Sequence, residues 1–146
     1  MPRTEIDVSA DVTSILLHYQ NLAYLFPEAS NVTVTLTAGL VANVYGAWAE
    51  IVDSGATTLS SKFAAQSGFL SEVMVSDFSV ANEITLLEIA YGTPKVTVGR
   101  AAVRSDWTWV IELLSEVIPA GETVYYRAMA ETGGATMLAR FRYYYL

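Results

Sequence analysis

The sequence has 146 residues, of which 53% are hydrophobic and only 16% are charged, and its formal net charge is -7. This length suits one domain with a buried core, and the absence of cysteine excludes disulfides, zinc–thiolate sites and cysteine nucleophiles. The acidic balance argues against nucleic acid as a partner, because phosphate binding needs clustered Lys and Arg and the eight such residues here are scattered. No run approaches the ~18 consecutive apolar residues of a membrane helix, so the surplus apolar surface is expected to contact other protein chains.

An N-terminal arm is predicted over residues 1–30. Residues 1–12 alternate weakly between apolar and polar and lack the apolar stretch of a secretion signal. Residues 13–27 then place apolar side chains at a helical spacing and end at a proline, which predicts a short helix. The same residues could instead form an extended arm with apolar anchors. In either form, the side chains expected at an interface are Ile15, Leu16, Tyr19, Leu22 and Phe26.

From residue 31 onward the apolar residues recur at every second position, the period of a β-strand with one buried face. Val32, Val34 and Leu36 alternate with threonines and show this pattern most clearly. Turn signals such as Gly92-Thr93-Pro94 separate the later apolar runs. Further strands are therefore predicted over residues 48–52, 69–78, 83–91, 95–104 and 107–117.

Residues 118–146 are predicted to form a β-hairpin around which the rest of the chain is organised. Its turn is Thr132-Gly133-Gly134, because consecutive glycines supply the positive φ of a tight hairpin. Apolar residues alternate along both strands, so each strand has one face toward the core. On the last strand the residues expected to point away from the core, toward a partner chain, are Arg140, Arg142 and Tyr144.

Eight strands at roughly even spacing predict an all-β fold, either a sandwich or a closed barrel. The most economical arrangement is an eight-stranded jelly-roll-like β-sandwich over residues 31–146, preceded by the arm or short helix of residues 1–30. No internal repeat divides the chain. The predicted core consists of Val34, Leu36, Trp48, Val73, Val75, Leu87, Ile89, Val96, Val98, Val124, Tyr126, Phe141 and Tyr143.

The sequence shows no catalytic constellation. His18 is the only histidine, and it lies between apolar residues of the arm, where a structural or interfacial role is favoured over a catalytic one. The carboxylates lack the spacing of a calcium loop, and the glycines form neither a dinucleotide-binding nor a phosphate-binding loop. We therefore predict no enzyme activity, no metal site and no cofactor.

Trp107 and Trp109 lie two residues apart, a spacing that places both rings on one face of a strand. Such a pair could form a stacking platform for sugars. No polar cluster accompanies them, however, and large rings also dominate protein cores and interfaces. Packing in the core or at an interface is therefore the favoured interpretation.

Three stretches resemble the small β-sandwich structural proteins of tailed bacteriophages. These are residues 45–52 (YGAWAEIV), residues 70–75 (LSEVMV) and residues 118–122 (IPAGE) followed by Tyr125-Tyr126-Arg127. In such proteins a GAW-x-EI strand and an IPAG turn before the last hairpin recur in a similar order. The resemblance covers about residues 31–146 and leaves the arm outside.

The resemblance implies a virion component, most often a capsid decoration (cement) protein that stabilises the shell. It further implies a homo-oligomer, with a trimer favoured, that assembles in the bacterial host cytoplasm and contacts the major capsid protein or other virion proteins. No catalytic residue follows from it, and neither nucleic acid nor membrane is expected as a partner. The alternative is a carbohydrate- or receptor-binding module of a phage fibre or tail.

Overall fold

The computed structural model describes residues 23–113 and 115–146, and these residues form an all-β fold with two antiparallel sheets. The all-β prediction is therefore confirmed. A single 3-10 turn spans Ser60–Phe63. The strands are β1 (Tyr24–Phe26), β2 (Val34–Thr37), β3 (Ala49–Glu50), β4 (Gly68–Ser76), β5 (Ile84–Tyr91), β6 (Val96–Arg104), β7 (Trp109–Glu112), β8 (Val124–Ala130) and β9 (Thr136–Tyr145).

Five strands form the first sheet, which we call sheet A, in the order β1-β9-β4-β7, with β2 also paired to β9. Strand β9 is long enough to pair with two strands on the same side. Its residues 141–143 pair with β1 and its residues 136–139 pair with β2. The other four strands form sheet B in the order β3-β8-β5-β6. Strand β9 is therefore central in sheet A, and β8 and β5 are central in sheet B.

One hydrophobic core lies between the two sheets and takes side chains from both. Every second residue of β8 and β9 is buried, as the alternation predicts for strands with one face in a core. Phe26, Phe63 and Phe141 are the largest fully buried side chains. A hydrogen bond also joins the sheets, since the Thr37 N–H donates to the Tyr126 hydroxyl at 3.0 Å. The core thus fixes which face of each sheet remains outside.

The predicted C-terminal hairpin is wrong, because β8 and β9 belong to different sheets. The inward faces of both strands are as expected, but the strands meet across the core instead of pairing side by side. Gly133 and Gly134 form the crossing between them, where a Cβ at Gly133 would collide with the Leu40 carbonyl oxygen. The Gly134 N–H donates to the Gly39 carbonyl oxygen at 2.9 Å. The two glycines do not form a hairpin turn. They allow the β8–β9 connection to pack closely against the β2–β3 connection.

The strand count of eight is also wrong for the described residues, which contain nine. The additional strand, β1, lies where the sequence predicts the end of the arm. Phe26 is opposite Phe141 in β9 and only 1% exposed, so long-range pairing overrides the helical spacing here. Within the described residues, strand pairing already includes Tyr24, ahead of the boundary predicted at residue 31. The predicted arm anchors Ile15, Leu16, Tyr19 and Leu22 lie outside the described residues.

Two members of the predicted core are placed differently by the structure. Trp48 precedes the two-residue strand β3 and packs on the outer face of sheet B, while Ile51 takes the buried position. Val96 is the first residue of β6, an edge strand, and remains partly exposed. For Trp48, the period of two marks a face, and the global pairing decides which face is inside. Val96 lies on the same face as buried Val98, so its exposure follows from its place at the end of an edge strand.

Candidate functional site

The outer face of sheet A combines apolar and charged side chains from neighbouring strands. On β9 every second residue is buried, so the intervening residues project from the opposite face. Strands β1, β4 and β7 place their own outward residues beside them. We call this surface the sheet A face, and its residues are Leu25, Phe69, Glu72, Met74, Val110, Glu112, Arg140, Arg142 and Tyr144.

A row of side chains crosses the sheet A face from β1 to β7. Leu25 lies opposite Arg142, and Arg142 lies opposite Glu72. Glu112 completes the row as the β7 partner of Glu72. Nη1 of Arg142 lies 3.5 Å from Oε1 of Glu72, and the two side chains remain 43% and 36% exposed. An ion pair this exposed contributes only about 0–1 kcal/mol to stability, so Arg142 remains available to a partner.

A shallow groove of about 270 Å³ opens beside this row. Met74 and Val110, which are opposite each other in β4 and β7, line it with apolar surface and are 38% and 63% exposed. Arg140 is the β9 partner of Met74 and borders the same groove. Its Nη2 lies 3.4 Å from the Ala29 carbonyl oxygen, near the limit of a hydrogen bond. The groove therefore has an apolar centre bordered by two guanidinium groups.

One end of the sheet A face is aromatic. The rings of Phe69 and Tyr144, register partners in β4 and β9, stack with centroids 5.2 Å apart at an interplanar angle of 21°. Stacked aromatic pairs present a flat and partly apolar surface that suits contact with another protein. This end continues the surface of the groove along β9.

The structure brings three of the predicted interface residues together and separates a fourth. Arg140, Arg142 and Tyr144 share the sheet A face, while Phe26 is buried in the core. The apolar groove residues Met74 and Val110 were missed. A signal existed for Met74, which stands between Val73 and Val75 and must face away from the core that takes both valines.

The outer face of sheet B holds a buried carboxylate instead of a groove. Glu88 projects from β5 between the core residues Leu87 and Ile89, yet its side chain is only 6% exposed. Arg127, its partner in β8, donates from Nε to Oε2 at 3.0 Å, and its Nη2 lies 2.9 Å from the same oxygen. Arg100, its partner in β6, places Nε 3.3 Å from Oε1. Two guanidinium groups thus compensate the desolvation of one carboxylate.

Aromatic rings complete this cluster on sheet B. The guanidinium carbon of Arg127 lies 4.6 Å from the ring centroid of Tyr45 and 4.5 Å from that of Trp48, which is cation–π distance. Burial, and then the nearby Glu88 carboxylate, raise the pKa of Tyr45 above its ordinary value of 10.0. The charges of this cluster pair with one another. Because Tyr45 and Trp48 belong to the β2–β3 connection, their contacts with Arg127 hold that connection against sheet B.

The same β2–β3 connection carries Leu40, the most exposed large apolar side chain of the described residues. Leu40 is 88% exposed, and Val41 and Val44 are also more than half exposed. The Asn43 N–H donates to the Ala130 carbonyl oxygen at 2.8 Å, so the connection is held to β8. It forms a second apolar surface, at one end of the fold rather than on a sheet.

Trp107 and Trp109, whose spacing would suit a sugar platform but whose favoured interpretation is packing, do not share a strand face. Trp107 lies in the turn before β7 and is 67% exposed, whereas Trp109 begins the strand. The indole N–H of Trp109 donates to the Arg104 carbonyl oxygen at 2.7 Å, which commits its polar atom to the protein. Trp107 presents more of its surface to solvent than Trp109, which is 37% exposed.

Within residues 23–113 and 115–146, no group of three or more His, Cys, Asp or Glu side chains could hold a metal ion. No helix in this part of the chain is long and apolar enough to cross a membrane. Comparisons with protein-family models, with curated proteins and with solved structures find no match to this chain.

Proposed function

We propose that this protein is a bacteriophage virion structural protein, a capsid decoration protein that self-associates and stabilises the shell. The observation that carries the proposal is the sheet A face, where the apolar groove of Met74 and Val110 is bordered by Arg140 and by the Arg142–Glu72 pair. Interface centres are typically enriched in aromatic residues, Met and Arg and poor in Lys. The groove supplies Met74, Arg140 and Arg142, with Tyr144 beside it.

The strand order supports a finer fold within this proposal, an eight-stranded jelly roll. Without β1, sheet A has the order β2-β9-β4-β7 and sheet B the order β3-β8-β5-β6. Two four-stranded sheets with crossings between them form the double-sheet arrangement of jelly rolls, which recur in viral capsid proteins and in lectins. Strand β1 is then an addition that extends the β2 edge along β9.

Self-association is the first part to test. Light scattering on the full chain at micromolar concentration should give a multiple of the 15.9 kDa of one chain, with three copies as the proposed number. The oligomer should also bind shells that lack the protein and raise their resistance to heat. A monomer that does not bind such shells would overturn the proposal.

A second function is favoured by one observation, the 67% exposure of Trp107 at the end of the fold. Exposed rings stack on sugars, and jelly rolls include lectins, so a carbohydrate- or receptor-binding module of a phage fibre is the alternative. Retention of the protein on a glycan column, and its loss in Trp107→Ala, would favour this function. Equal passage of both proteins through the column would eliminate it.

A further inference from the structure

Strand β1 shows where the N-terminal residues enter the fold. Tyr24 is opposite Tyr143 and Phe26 is opposite Phe141, so β1 runs antiparallel to β9 at the edge of sheet A. The chain that precedes Ala23 therefore enters from the side where β9 ends. Leu25, the outward residue of β1, itself lines the groove of the sheet A face. Residues 1–22 thus join the fold immediately beside that groove.

We propose that the groove of the sheet A face is the docking site for residues 1–22 of a neighbouring copy of this chain. This inference rests on the self-association proposed above and adds the segment that occupies the interface. Each copy would both donate its segment and receive one. Contacts of this donor-to-acceptor kind form a ring where the rotation between copies closes, and the proposed trimer is such a ring.

The chemistry of the segment fits the groove. Residues 1–22 contain the carboxylates Glu5, Asp7 and Asp11. The groove is bordered by the Arg142–Glu72 pair and by Arg140, which only approaches the Ala29 carbonyl oxygen at 3.4 Å. Guanidinium groups bind carboxylates with charge-assisted hydrogen bonds. The segment also contains an apolar set that matches the exposed apolar surface between those arginines. Its members are Ile15, Leu16, Leu17, Tyr19 and Leu22.

Direction and length favour a neighbour over the copy's own groove. To cover its own groove, the segment would have to reverse its course just before β1. At about 3.3 Å per residue, 22 extended residues span up to ~70 Å, while four strands at ~4.8 Å spacing are only ~20 Å wide. The segment is therefore long enough to reach a second molecule.

Thiol cross-linking tests this directly, because the natural chain has no cysteine. Two single-cysteine variants, Leu16→Cys and Val110→Cys, are co-expressed so that mixed oligomers form, and are then treated with a short bismaleimide. We expect a covalent pair of chains that contains one variant of each kind. The matched control replaces Val110→Cys by Val96→Cys, a partly exposed valine on the edge of sheet B. That control should give at least tenfold less mixed product.

The remaining outcomes separate this inference from the proposed function. If a chain with both Leu16→Cys and Val110→Cys links only within itself, the segment covers its own groove and the inference is overturned. Leu16→Cys could form no cross-link with Val110→Cys or with Val96→Cys while the full chain remains oligomeric by light scattering. The interface would then exist, but residues 1–22 would not fill this groove, and the inference would be overturned. If the full chain is monomeric, the proposed self-association itself has failed. Circular dichroism of each variant confirms that it is folded.

Discussion

The two outer faces use the same ion-pair chemistry with different burial. On sheet B, the Glu88 side chain is 6% exposed, accepts a hydrogen bond from Nε of Arg127 and forms ion pairs with both Arg127 and Arg100. On sheet A, Glu72 meets one guanidinium at 3.5 Å and stays 36% exposed. A buried pair that loses one partner leaves an uncompensated charge, whereas an exposed pair exchanges its partner for water. The Glu88 cluster on sheet B therefore stabilises the fold, and we call it the clamp. The sheet A face keeps its charges and its apolar groove available for contact.

The largest expected effect comes from the core that separates these faces. Phe141→Ala should lower the free energy of unfolding by about 3–5 kcal/mol, because Phe141 is fully buried in the central strand of sheet A. Denaturant titration of the isolated subunit measures this loss. A loss below ~1 kcal/mol would mean that β9 does not present this face to the core.

Glu88→Gln should lower the free energy of unfolding by about 2–3 kcal/mol. This is less than the ~3–5 kcal/mol typical of a fully buried pair, because Arg100 and Arg127 are both partly exposed to water. The matched control is Glu72→Gln on the sheet A face, which should stay within about 0.5 kcal/mol of the natural protein. Equal losses at the two positions would remove the distinction between the clamp and the open face.

The clamp should also respond to alkaline pH. The pKa of Tyr45 is raised in the folded protein, so the folded state favours the neutral phenol. This contribution to stability is fully present below pH 10, the ordinary pKa, and is lost as the pH rises through the higher folded pKa. Denaturant titrations from pH 8 to 11 should show a smaller alkaline loss in Tyr45→Phe than in the natural protein. Identical pH profiles would show that Tyr45 titrates as it does in the unfolded chain.

The smallest effect is expected at Arg142 in the isolated subunit. Arg142→Ala should change the free energy of unfolding by no more than about 0.5 kcal/mol, because the Arg142–Glu72 pair is exposed. In the assembled oligomer the same substitution should weaken association by about 2 kcal/mol, since an Arg truncated inside a desolvated contact is often a hot spot. Denaturant titration of the isolated subunit gives the change in the free energy of unfolding. Analytical ultracentrifugation of the oligomer gives the change in the free energy of association. A loss in the subunit as large as that of Phe141→Ala would show that Arg142 faces inward.

The buried faces of most strands could be predicted from the sequence, though not that of β3, and the partners of the strands could not be predicted. Alternation along β9 is local, and it correctly separates buried Phe141 from outward Arg142. The choice between a hairpin and a crossing for β8 and β9 depends on which distant strands pair with each, and two glycines permit either. Phe26 fits a helical stripe by spacing, yet its pairing with Phe141 places it in a strand.

The candidate site shows the same limit. Arg140, Arg142 and Tyr144 follow from alternation within one strand, so they could be predicted. The groove needs β4 and β7 beside β9, and that order is a property of the whole chain. Burial of Glu88 is equally non-local, because an acidic residue at an outward position of a strand normally meets water. The Glu88 carboxylate is enclosed by side chains from β6, from β8 and from the β2–β3 connection.

Self-association through the sheet A face is tested most directly by one substitution with a matched control. Met74→Asp places a carboxylate in the apolar groove, and Val96→Asp places one at a similarly exposed valine on sheet B. Light scattering at the same micromolar concentration should give about 15.9 kDa for Met74→Asp and the mass of the natural oligomer for Val96→Asp. A Met74→Asp protein that keeps the full oligomer mass would contradict the assignment of the sheet A face as the interface.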